Sequence, residues 1–383
     1  MNASSITNRH PSSDSPTSAK SRAAGTNEDT GRSLKRQKDP SGVKFSEQSH
    51  HTQGIGNDSI SGKLNKVYAP IQNHLQAVEE RFNAELNSSF PDLASVLQHG
   101  TQLGGKRLRP AMLLLIGKTI GSLNENHQTI ATVIEMVHTA TLVHDDVLDD
   151  AASRRHVPTV NAKWNNHTSI LLGDYLFSQA YRLAATTSST VACERVGEAA
   201  RKVCEGELRQ VLHRDVTNLT EEEYISMVQA KTGELCRVAC ELGAVFSDGS
   251  EQEIEAAARF GNALGIAFQI ADDFLDLWGD DQIVGKTLGT DLQQGKITLP
   301  IIRLLDTADA RESQTIHQIL SAPSELRAER IMPYLEASDA KSYTHRVARE
   351  YYCEALDSLR IMRDCESRES LEMMAEFSVN RRF

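Results

Sequence analysis

The chain has 383 residues, with 41 lysines and arginines against 52 aspartates and glutamates, a formal net charge of −11. That balance argues against a nucleic-acid binder held by phosphate contacts. No stretch approaches the ~20 apolar residues of a membrane-spanning helix, and the length suits one large domain or two modest ones.

In chain order, residues 1–58 are polar, rich in Ser, Thr, Asn, Gln, His and Lys. Such a segment cannot bury enough surface to offset its ordering entropy, so a disordered tail is expected. The opening 60 residues hold no apolar run of secretory type. Six cysteines (Cys193, Cys204, Cys236, Cys240, Cys353, Cys365) stand apart without a CxxC pair, as expected of free thiols in a reducing compartment. The expectation is a soluble, cytoplasmic protein. Cys236 and Cys240 lie a helical turn apart without further ligands nearby in sequence, which reads as packing.

From Leu64 onward the apolar residues fall at helical spacing, beginning with "VYAPIQNHLQAVEERFNAEL". Alternating strands are not evident. Pro91, Pro110, Pro158 and Pro300 sit where helices should begin or break. Thr220 ahead of three glutamates reads as a helix N-cap. Residues 59–383 are therefore expected to form one all-α domain, a large bundle of about ten or more helices without internal repeats.

The chemistry is concentrated in two acidic stretches. In "ATVIEMVHTATLVHDDVLDD", Asp145 and Asp149 are one turn apart on a helical face that also carries His138, while Asp146 stands about 100° aside. Aspartates at a helix C-terminus oppose its dipole, which weakens the reading of a merely solvated end. "GIAFQIADDFLDLWGDD" repeats the pattern with Asp272, Asp273 and Asp276, and Gln269 shares their face. Two such ends facing across a bundle would suit Mg²⁺, which takes carboxylates plus substrate phosphates. Cations accompany them. "GGKRLRP" sets Lys106, Arg107 and Arg109 beside a Gly-Gly turn, and Arg154 and Arg155 follow the first motif. Lys231 and Thr232 lie in an apolar helix, and Lys286 and Lys296 follow the second motif. For each cation alone, a surface salt bridge is the ordinary alternative. Together they describe two anion sites, one bridged by metal between the motifs and one metal-free, lined by Lys106, Arg109, Arg155 and His138.

Five stretches in order, "GGKRLRP", "HDDVLDDAASRR", "KTGELCRVACELGA", "FQIADDFLD" and "GKTLGTDLQQGKITLPII", resemble the motifs of the trans-isoprenyl diphosphate synthases. The resemblance runs from about residue 65 to residue 383. It implies an all-α fold around a deep cavity, usually as a homodimer, and a Mg²⁺-dependent transfer of an allylic group onto isopentenyl diphosphate. It further implies Asp145, Asp149 and Asp272 as ligands of about three Mg²⁺ ions, supported by Asp146, Asp273 and Asp276. Lys231, Thr232, Gln269, Lys286, Lys296 and Arg154 would hold the allylic diphosphate. Lys106, Arg109, His138 and Arg155 would hold isopentenyl diphosphate.

Ala140 and Thr141, small residues about one turn before Asp145, stand where short-chain members of that family carry bulky aromatics. A turn advances about 5.4 Å, of the order of one isoprene unit, so the open first turn implies a long product of about C30–C50, octaprenyl being the best single choice. A short-chain synthase is the alternative, followed by a terpene cyclase or a non-catalytic partner subunit. Phe177 is a candidate cavity floor, with core packing its ordinary reading. His156 departs from the family, which usually has glycine there.

Overall fold

The computed structural model describes Gly62, residues 64–279 and residues 288–379. The expected tail and Lys286 lie outside the described residues. Helix forms where the apolar spacing placed it. A 3-10 turn, Ala69–Ile71, leads into α1 (Gln72–Glu85), α2 (Pro91–Gln102), α3 (Leu108–Ile120) and α4 (Glu125–Leu148). Pro91 opens α2 as expected, but the helix containing Pro110 starts two residues earlier, at Leu108. The correction has a simple cause: the first turn of a helix has no intrahelical N–H partners to lose, so proline is tolerated at its third position too.

A two-stranded hairpin, β1 (Ser153–Arg154) with β2 (Val157–Pro158), is the one sheet among the described residues. After a helical turn at Val160–Lys163 come α5 (Asn166–Ala185) and α6 (Thr190–Leu212). The next stretch is α7 (Glu221–Val228), a π-helical turn (Gln229–Gly233) and α8 (Glu234–Val245). Thr220 caps it as its sequence indicated: its hydroxyl accepts from the Glu223 N–H at 3.2 Å, and Glu223 accepts from the Thr220 N–H at 3.0 Å. Then follow α9 (Glu251–Trp278), a turn at Thr290–Gln293, α10 (Leu299–Thr307), α11 (Ala310–Leu320), α12 (Arg327–Ala337), α13 (Ala340–Leu359) and α14 (Glu366–Val379).

α3 is buried from Pro110 to Gly117, which accounts for its unbroken apolar run. It packs against α4 and α8, α4 lies along α5, and α9 lies along α8 and α13. One hydrophobic cluster joins α3, α4, α5, α8 and the first half of α9 through residues such as Leu113, Ile134, Leu176, Val238 and Phe260. A second joins the later half of α9 to α10–α13 through Ile270, Leu299, Ile316, Ile331 and Leu335. Each fully buried side chain of this size contributes about 1.5–3 kcal/mol. The 28-residue α9 thus runs through both clusters. Packing on either side fixes the direction in which its acidic C-terminal end projects.

Candidate active site

α4 ends at Leu148, with Asp149 as its C-cap and Asp150 in the left-handed region at φ 47°. The first acidic motif is therefore the last turn of a buried helix, where the dipole disfavours carboxylates unless cations answer them. The structure supplies those cations from distant elements. Lys231 is the cation that acts most strongly on Asp145, while Glu207 and Asp149 add like charge. Burial dominates and pushes the Asp145 carboxyl up to about 7. Asp149 accepts from Lys296 Nζ at 3.2 Å on one oxygen and from Arg214 Nη2 at 3.1 Å on the other. Asp146 turns aside and is buried, paired through Oδ1 with Arg154 at 2.8–2.9 Å. Its other oxygen has no hydrogen-bond partner.

The Asp146–Arg154 pair ties the β1–β2 hairpin to the end of α4. Arg155 and His156 form its two-residue turn, with φ of 52° and 65°. Two left-handed residues in a two-residue hairpin make a type I′ turn, the setting that favours glycine. The family's usual glycine at 156 thus has a backbone reason, and His156 occupies the same conformation under strain. The turn lays the Arg155 guanidinium over Gly105: a Cβ there would meet it at 2.4 Å and push the side chain aside.

Beside this hairpin lie the remaining residues of the expected metal-free anion site. Arg109 Nη1 donates to His138 Nε2 at 3.1 Å, and Arg109 Nε is buried without a partner. Burial, then Arg109 and Arg155, hold His138 well below its ordinary range, so it is neutral and accepts. Lys106 lies over the Phe377 ring at 4.8 Å. Arg107 goes elsewhere. It pairs with Glu79 and with the buried Glu135. Ala140 is fully buried, and Thr141 is half-buried with its hydroxyl donating to the His138 carbonyl at 2.8 Å. Phe177 packs beside His144, with ring centroids 6.0 Å apart.

The second motif closes α9. A hydrogen-bond chain runs from Thr232 to Gln269 at 2.9 Å and from Gln269 to Asp273 at 2.8 Å, and Tyr224 donates to the other Asp273 oxygen at 2.5 Å. Burial pushes Asp273 up to about 6 despite these donors. Asp276 accepts from the Thr290 hydroxyl and from the N–H groups of Thr290 and Asp291 at 2.7–3.2 Å, fixing the loop that carries Lys296. Asp272 lies within electrostatic reach of Arg155 on the first motif's hairpin. Lys231 stands on the π-helical turn, bonded to Glu207 at 2.8 Å and Gln210 at 3.0 Å. π turns recur at functional sites because they re-aim side chains within a helix. A cavity of about 70 Å³ is lined by Lys231, Gln269, Asp273, Asp291, Lys296 and His213, among others. Its two lysines reach the first motif, and its carboxylates belong to the second or adjoin it.

Glu207, Gln210, Arg214, Tyr224 and Asp291 escaped the sequence reading. Asp291 stands inside the quoted "GTDLQQGK" and could have been found there. Burial and the neighbouring Asp273, Asp276 and Asp272 hold its carboxyl well above the ordinary range. The other four carry no signal of their own, since each matters only through a partner on another element.

A divalent cation fits this arrangement. Burial first, and like-charged neighbours second, hold three carboxyls above their ordinary range: Asp145 beside Glu207 and Asp149, Asp273 beside Asp272 and Asp276, and Asp291 beside Asp273 and Asp276. Among the described residues no three His, Cys, Asp or Glu side chains converge on one point. An ion here would take one or two carboxylates and complete its shell from water and ligand oxygens, which is the habit of Mg²⁺. No helix among the described residues is long and apolar enough to cross a membrane.

Comparison with known proteins agrees with this geometry. The sequence profile of the polyprenyl synthetase family matches residues 91–335. An all-trans-nonaprenyl-diphosphate synthase (geranyl-diphosphate specific) of Rhodobacter capsulatus is 34% identical over 316 residues, covering 82% of this chain and 97% of its own. A short chain isoprenyl diphosphate synthase of Methanothermobacter thermautotrophicus is 31% identical, covering 81% and 97%. A polyprenyl synthase of Caulobacter crescentus, solved in complex with calcium and isoprenyl diphosphate, superposes with a TM-score of 0.79 at 32% identity, covering 84% of this chain and 98% of that one.

Proposed function

The chain belongs to the polyprenyl synthetase family, whose members are prenyl diphosphate synthases, and we propose that it makes a long-chain all-trans product by a Mg²⁺-dependent condensation. The observation that carries the reading is a pair of lysines, Lys296 bonded to Asp149 and Lys231 acting on Asp145, that also line one cavity with Asp273 and Asp291. In this reading Asp145, Asp149 and Asp272 hold about three Mg²⁺ ions. Asp146, Asp273 and Asp276 orient them through Arg154, Gln269, Tyr224 and the Thr290 turn. When bound, the metal would supply Lewis-acid stabilisation of a diphosphate leaving group.

The chain's own residues do the rest. Lys231, Thr232, Gln269 and Lys296, with Arg154 and Lys286, take the oxygens of the allylic diphosphate and balance the charge that grows as its C–O bond breaks. Lys106, Arg109 and Arg155 take those of isopentenyl diphosphate, and the partnerless Arg109 Nε is a donor in want of such an acceptor. Neutral His138 aligns Arg109 without adding a charge of its own. The double bond of isopentenyl diphosphate then attacks the allylic cation, and the adduct passes a proton to the departed diphosphate as the C–H electrons restore the alkene. The buried walls of α4 and α9 keep water from quenching the cation.

The small Ala140 and Thr141 support a long product, about C30–C50, with octaprenyl the best single choice. A homodimer is the expected assembly. α5 and α6 leave Leu171 67%, Leu208 63% and Leu212 75% exposed, apolar side chains that a second protomer would cover, and a protomer mass in sedimentation would overturn that expectation. Incubation with radiolabelled isopentenyl diphosphate and farnesyl diphosphate, with chromatography against polyprenol standards, tests the function. An acid-labile diphosphate about six to ten units long is expected. A C15–C20 product would replace the long-chain reading with the short-chain one, and a hydrocarbon formed without incorporation would sink both.

A further inference from the structure

The turn after α6 contributes a cation that none of the recognised motifs contains. Arg214 follows His213, the C-cap of α6, and its Nη2 reaches both Asp149 Oδ1 at 3.1 Å and the Leu148 carbonyl at 3.3 Å. The turn is held from both sides. The Asp215 N–H donates to the Gly295 carbonyl at 2.8 Å, next to Lys296, and the Asp215 carboxylate accepts from Arg327 at 2.6 Å. Asp215 adopts a left-handed φ of 59°, and that conformation projects its backbone onto the Lys296 loop. Arg214 is therefore clamped between the end of the first motif and the loop of the second. Its guanidinium is incompletely used, for Nε is buried with no partner among the described residues. A buried donor in that state is open to an acceptor that a ligand brings.

Between them Arg214 and Lys296 occupy both oxygens of Asp149. A cation seated on that carboxylate takes lone pairs to which they now donate. We propose that Arg214 is a resident counter-cation of the first acidic motif, which competes with a divalent ion for Asp149 and must be displaced when the ion loads. Displacement would turn the guanidinium, already short of an acceptor, toward diphosphate oxygens arriving with the ion. The competition guards the deep carboxylate cluster against ions that come without a diphosphate. This inference rests on the reading of Asp149 as a metal ligand.

The test measures Mn²⁺ alone binding to the full chain, by the loss of its free paramagnetic resonance signal, with no substrate present. Arg214→Gln should tighten Mn²⁺ binding about fivefold, at the upper end of what a part-exposed ion pair is worth. Arg214→Lys should stay near the parent. Arg209→Gln, one turn back where the side chain bonds Ser226 at 2.9 Å, reports the through-space effect of removing a charge. An Arg214→Gln gain no larger than that of Arg209→Gln would overturn the proposal, as would weaker binding. Asp149→Asn separates the two layers. If it leaves Mn²⁺ binding unchanged, the ligand reading itself fails; if it weakens binding while Arg214→Gln changes nothing, only the competition fails.

Discussion

Asp145 and Asp272 are the residues on which the proposed chemistry depends most directly. Asp145→Ala and Asp272→Ala should each abolish elongation, a loss of at least about 10³-fold of the size seen when a transition-state charge partner is removed. Circular dichroism should remain that of the parent, and normal turnover in either variant would refute the site. The Asp145 carboxyl, pushed from an ordinary 3.8 to about 7, also sets a pH dependence. A raised acid stabilises the ion-free fold fully only below its unfolded value, and that contribution is lost as pH rises through about 7. A metal binding the carboxylate must expel the proton. Divalent-ion affinity should therefore climb between about pH 6 and pH 8. Calorimetric titration checks this, and a flat affinity would contradict it. His156 makes the opposite kind of prediction, one of stability alone. Its φ of 65° is a left-handed conformation that glycine adopts freely, so His156→Gly should stabilise by about 1 kcal/mol, seen as a midpoint shift in denaturant. The departure at 156 was legible in the sequence. The type I′ turn that makes it costly was not, because turn type depends on the pairing of the flanking strands.

At the scale of elements, the helical character and the Thr220 cap were legible and the π turn was not. "EEEYISMVQAKTGELCRVAC" reads as one continuous helix because apolar spacing hardly registers one widened turn. The widening is held from outside by α6. A Cβ on Gly206 would meet the Lys231 backbone nitrogen at 2.9 Å and the Ala230 Cβ at 3.0 Å, so α6 approaches the π turn at its own backbone. Gly206→Ala should push the two apart, cost about 1–3 kcal/mol and raise KM for the allylic substrate by loosening Lys231 from Glu207. Chemical denaturation and steady-state kinetics on the same variant check both, and unchanged values would show that the close packing is not needed. α9 illustrates the reverse case. The apolar helix leading into its aspartates was read from the sequence, and the structure extends it over 28 residues from a Ser250 cap to Gly279. Yet the division of its length between two cores appears only once α10–α13 are in place.

For the whole molecule, product length is the property that belongs to no single element. Thr141 sits on α4 one turn before Asp145, where, in the proposed reading, a larger side chain would close the path of the growing product. Thr141→Phe should shorten the product by one or more isoprene units, of about 5 Å each. Product chromatography reads this out, and an unchanged distribution would mean that the chain grows along another wall.

By itself the sequence determined an all-α chain and two Asp-bearing helix ends with their lysines in order, because helical periodicity and motif spacing are local information. Only the tertiary structure decided which cation meets which carboxylate. Lys296 reaches Asp149 across 147 positions, and Arg214 reaches it across 65. Asp146 turned out to brace the hairpin through Arg154, and Arg107 to serve Glu79 and Glu135. Ion pairs form between side chains that packing brings within a few ångströms, and no spacing rule along the chain encodes that distance.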